Sequence, residues 1–141
     1  MKLATYKDGS RDGQLVVVSR DLSTAHYPTG IANRLQQVLD DWAFLAPQLQ
    51  DLSVQLNAGR LRHSFAFDPQ QCMAPLPRAA QWLGAVTPAL QQSLSATPLM
   101  YQGASDDLLG ACDDVTVASE AQGIDFSAEI AAITSDVGRA C

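Results

Sequence analysis

The sequence predicts an α+β protein: a small β-meander with helices beside it over residues 1–75, then a second, β-rich segment over residues 76–141. Three observations carry this. β-branched runs near the N-terminus are bracketed by Asp and Gly turn formers, the pattern of short hairpin strands. One apolar stripe recurs at three- and four-residue steps from Ile31 to Leu45, the signature of a helix face. Apolar and oxygen-bearing side chains alternate from Ile124 to Ile133, the period of a strand.

In chain order, Lys2–Tyr6 reads as a first strand, and Lys7–Gly13 is dense in turn residues. Gln14–Ser19 is a second strand. Asp21–Ser23 turns the chain into a third, Thr24–Tyr27, which Pro28 ends because it has no N–H for a ladder. Thr29 is the expected N-cap of a helix whose stripe is Ile31, Leu35, Val38, Leu39, Trp42 and Leu45. Pro47 is expected to break or restart that helix. Leu49, Leu52 and Leu56 continue on a second helix, stopped at Asn57-Ala58-Gly59. Residues 60–78 read as a Pro-punctuated connector with one short strand at Phe65-Ala66-Phe67. Residues 79–98 show no sustained period, with a helical turn or two at Ala89–Leu94. Val115–Ala118 and Ile124–Ile133 are expected strands.

Hydrophobic residues make up 47% of the 141, enough for a packed core and too many for a disordered chain. The net charge of −6 is unevenly spread. Residues 1–78 hold eight Lys/Arg against seven Asp, whereas residues 79–141 hold one Arg against eight acids. So acidic a second half repels phosphate backbones, which argues against nucleic-acid binding. The three cysteines, Cys72, Cys112 and Cys141, are too sparse for a disulfide framework or a structural zinc site. No apolar run follows the basic residue near the start, and none reaches the roughly 18 residues of a membrane span. A cytoplasmic protein without nucleic-acid or membrane partners is the expectation.

Candidate functional residues are few. The Asp106-Asp107 and Asp113-Asp114 pairs could suit a cation but lack calcium-loop spacing, and Asp pairs beside Gly are turn formers first. His26 and His63 have no nucleophile or carboxylate placed by motif to work with them. Trp42, on the leucine stripe, reads as core rather than as a partner-binding face. Cys112 adjoins two Asp, whose negative charge suppresses a thiolate.

Three stretches together resemble bacterial members of the fumarylacetoacetate hydrolase family, in the branch with a small separate N-terminal domain. They are Lys2–Tyr27 with its Asp-Gly turns, Pro98–Gly103 followed by Ser105-Asp106-Asp107, and Ser119–Ile133 centred on Gly123–Glu129. The resemblance implies that residues 76–141 are an incomplete start of a β-rich catalytic barrel. It also implies hydrolysis of a carbon–carbon bond in β-diketo or 2-oxo acids such as acylpyruvates. Carboxylates of the family hold Mg²⁺, Mn²⁺ or Ca²⁺, which stabilises the enolate as a Lewis acid. By resemblance, Glu129 matches one metal ligand and Tyr101 a tyrosine that contacts substrate. Ser127 stands where the family has a second ligand Glu. No Asp, Glu or His occurs between residues 69 and 105, where the family carries a ligand Asp and the catalytic His. A further ligand lies beyond Cys141 in family members. The expectation is therefore a truncated, eroded copy, inactive alone and a poor holder of metal. Two alternatives stand beside it: a folded module for homodimerisation or partner binding, or a remnant without function.

Overall fold

The computed structural model describes residues 1–85, 100–104, 107–126 and 128–134. Expectations for Ala89–Leu94, Pro98, Leu99, Ser105, Asp106, Ser127 and Cys141 lie outside the described residues.

The sheet is built around one apolar strand. β2 (Gln14–Val18) pairs antiparallel with β1 (Lys2–Tyr6) on one side and with β3 (Thr24–His26) on the other. Its Leu15, Val16, Val17 and Val18 are all buried, because both faces of this central strand are covered. Leu15 and Val17 face the helices, packing with Leu35, Val38, Leu49 and Leu56. Val16 and Val18 face the opposite way, with Tyr6, Ala25 and Cys72. Tyr6 anchors an aromatic group there, its ring 5.9 Å from Phe67 and 6.0 Å from Phe65, while its hydroxyl accepts the Asp68 N–H at 2.7 Å.

Helices α1 (Leu35–Asp40) and α2 (Trp42–Asn57) lie between β3 and β4 (Phe65–Ala66) in sequence. The expected N-cap at Thr29 is corrected. The chain makes one turn at Pro28–Ala32, and the Asn33 carbonyl then accepts the Leu15 N–H at 2.7 Å. That bond keeps the chain out of helix until Leu35. Gln37 then caps α1, its side-chain oxygen accepting the Asn33 and Arg34 N–H groups at 2.9 and 3.1 Å. The expected break at Pro47 is corrected too: the helices divide at Asp41 (φ −136°, ψ 50°), and Pro47 sits inside α2.

The region read as a connector is part of the fold. β4 pairs antiparallel with β3, completing the order β1-β2-β3-β4. Gln71–Met73 then crosses to the far edge of β1, where Lys7 N–H donates to the Gln71 carbonyl and Met73 N–H to the Thr5 carbonyl, each at 2.8 Å. Packing continues beyond: Leu76 joins the helical core and Arg78 forks onto Asp12.

Past Arg78 the structure is sparser. β5 (Leu83–Ala85) and β6 (Met100–Gln102) form a two-stranded antiparallel sheet. The described residues form no barrel: helices and two small sheets make an α+β fold. The expected strands at Val115–Ala118 and Ile124–Ile133 are absent among the described residues, and Phe126 and Ile130 are 93% and 101% exposed. Alternation prepares one face of a strand, but the ladder needs a neighbour. No helix of the described residues is long and apolar enough to cross a membrane.

Candidate functional site

Tyr101 lies on β6 directly opposite Gly84 of β5. Its ring covers the space a Gly84 side chain would occupy, which explains the glycine there. The ring remains half exposed. Such an aromatic laid over a cross-strand glycine holds a sheet together without any ligand. Glu129 is exposed, with no hydrogen bond or ion pair to any described residue. No described hydrogen bond or ion pair joins the two residues singled out by resemblance. Among the described residues, no three His, Cys, Asp or Glu side chains lie close enough to hold a metal ion.

The other candidates settle into structural positions. Asp113 accepts Lys7 Nζ at 2.7 Å and the Gly110 N–H at 2.8 Å. The Lys7 ammonium first, and the Gly110 amide second, hold its carboxyl below the usual range, and the same contact raises Lys7. Asp107 and Asp114 are exposed. His63 is exposed in the left-handed region (φ 62°). His26 lies on β3, its Nδ1 buried without a hydrogen-bond partner among the described residues. Trp42, expected in the core, is half exposed at the start of α2, a correction with its cause in the break at Asp41. Cys112 is exposed, whereas Cys72 is buried and its thiol is pushed up, chiefly by burial.

Two clefts carry charge. One, of about 150 Å³, lies between the β1–β2 turn, α1 and Pro75–Arg78. Its charges are already matched. Arg78 donates to both Asp12 oxygens at 2.7 Å, and Arg34 donates to Ser10 Oγ at 2.8 Å and the Gly13 carbonyl at 2.5 Å. These arginines fasten the turn. A shallower cleft of about 440 Å³ lies between Lys2, Arg20 and the C-terminal half of α2. Lys2 Nζ donates to the Arg20 carbonyl at 2.7 Å, and Arg20 N–H to Asn57 Oδ1 at 2.8 Å. These bonds tie the β2–β3 turn to the C-terminal end of α2, which has no basic residue in its last turn. Sequence reading missed both arrangements. Each joins residues far apart in the chain, and no local spacing announces them.

The described residues thus form an α+β unit in which two arginines fasten the β1–β2 turn. Residues 1–78, more than half of the chain, match the family model described as fumarylacetoacetase N-terminal domain 2, and the chain belongs to that family. The match ends at Arg78, which still packs on the turn through Asp12. Comparison with curated proteins finds no match.

Proposed function

We propose that residues 1–78 serve as the non-catalytic N-terminal domain of a fumarylacetoacetate-hydrolase-type protein, and that this chain does not turn over substrate by itself. The observation that carries the reading is that Glu129 is exposed and, among the described residues, belongs to no group of three side chains able to hold a metal ion. Metal-assisted hydrolysis of an acylpyruvate or related 2-oxo acid would need Mg²⁺ or Mn²⁺ held by several oxygens. Such cations take about six ligands, and one exposed carboxylate is a poor site. Tyr101, the proposed substrate contact, has its ring laid on Gly84. By the same resemblance the chain would pair as a homodimer, which light scattering after gel filtration would read directly.

The test is a circular-dichroism thermal melt with and without millimolar Mg²⁺ or Mn²⁺, beside an acylpyruvate assay. A ligand present at a hundred times its Kd stabilises the folded state by about 2.7 kcal/mol. The expected result is a cooperative melt that ignores the metal, with no turnover. A melt that rises with metal and loses the rise in Glu129→Ala would overturn the reading.

A further inference from the structure

We propose that Leu108–Asp113 is a latch clasping the N-terminal domain, so that the folded unit runs from β1 through Asp113 instead of ending with the family match at Arg78. Three contacts of different kinds carry it. At the near end, the Leu108 N–H donates to the Pro77 carbonyl at 3.0 Å. In the middle, Gly110 is buried against the strand-like Gln71–Met73 segment on the edge of β1. A methyl group there would strike the Cys72 carbonyl oxygen and come within 3.1 Å of Met73 Cα. At the far end, the Asp113 carboxylate receives Lys7 Nζ across 106 residues of sequence.

The latch is a turn closed on itself as well as on the domain. Asp113 N–H donates to the Gly110 carbonyl at 3.2 Å, and Asp113 Oδ2 accepts the Gly110 N–H at 2.8 Å. One carboxylate thus shapes the turn with one oxygen and docks it with the other. Lys7 serves three segments, since its Nζ also donates to the Gln70 carbonyl at 3.2 Å. An exposed ion pair by itself contributes little. Specificity comes from Gly110: its backbone is outside the left-handed region, so glycine is required there by space alone. Residues 114–121, 123–126 and 128–134 are exposed, so among the described residues Asp113 is the last that docks on the domain.

Hydrogen exchange read by mass spectrometry on the full chain tests this, with β2 as the internal standard of folding. In the wild type, the 107–114 peptide is expected to exchange at least about tenfold more slowly than 115–126, as hydrogen-bonded, packed backbone does. Gly110→Ala should remove that protection and loosen 71–73 while β2 stays protected. Should Gly110→Ala unfold β2 as well, the ion pair decides. Lys7→Asp and Asp113→Lys should each speed exchange at 107–114, and the two together should restore part of it. Wild-type 107–114 exchanging as fast as 115–126 would overturn the proposal. So would a Gly110→Ala chain with unchanged protection, or a double exchange no slower than either single one.

Discussion

Asp21 shows how much one side chain organises. Its Oδ1 accepts the Ser19 hydroxyl at 2.6 Å, the Ser23 hydroxyl at 2.8 Å and the Ser23 N–H at 3.1 Å. Between them Leu22 is held at φ 61°, a left-handed conformation that a bulky residue rarely adopts. The Ser19 hydroxyl, then the Ser23 hydroxyl, lower the Asp21 carboxyl to about 2. A depressed carboxylate stabilises the fold above its unfolded pKa of about 3.9, and the contribution is lost as pH falls through the folded value. Asp21 should therefore titrate near 2 when followed by carboxyl NMR, and higher in Ser19→Ala. A midpoint at the ordinary Asp value would show that the turn is not organised this way. Gly13 is a second such position. It has φ 62°, and a Cβ there would meet the Tyr6 carbonyl oxygen at 2.6 Å. The turn chemistry of both was visible in sequence as Asp, Ser and Gly between apolar runs, because these residues act locally.

At the scale of elements, legibility followed the range of the forces. Leu15–Val18 read as a strand and is one. The helical stripe read well from Leu35 to Leu39, then lost phase. Asp41 ends α1 and starts α2, so Trp42 opens a new helix instead of extending the old face. The start of α1 was misplaced for a similar reason: the bond from Leu15 N–H to Asn33 is tertiary and invisible to local pattern. This has a measurable consequence. Leu49, fully buried in the helical core, should cost about 2–5 kcal/mol when cut to Ala, as large-to-small core changes do. Trp42→Ala should stay within about 0.5 kcal/mol, the range of ordinary surface changes. Urea unfolding of the two variants decides. A Trp42→Ala loss as large as that of Leu49→Ala would restore the continuous stripe. The Tyr101–Gly84 strand pair went unread because its strands are three residues each, too short to show a period.

Across the whole molecule, the charge asymmetry visible in sequence coincides with a structural one. The near-neutral first part holds both core clusters, and the acidic remainder leaves Val115, Ile124, Phe126 and Ile130 in solvent. Composition showed that the halves differ. It could not show that the described residues of the alternating 124–133 stretch form no strand, since pairing is set by what lies alongside. The candidate site was the least legible part, because Tyr101 and Glu129 were joined by resemblance to a family and not by contact. The division gives a clean chemical test. Glu120 and Glu129 are the only glutamates in the chain, and both are exposed. A glutamyl endopeptidase used under native conditions should cut at both sites readily, since open backbone fits a protease cleft and packed backbone does not. The product ending at Glu120 keeps β1–β4, both helices and the Lys7–Asp113 pair. It should melt cooperatively at the temperature of the intact chain, because neither core cluster includes a residue beyond the cut. Resistance at Glu120 and Glu129 would mean that the acidic segment packs on something after all. Ready cleavage with loss of the cooperative melt would mean that the segment, though exposed, is needed to hold the domain together.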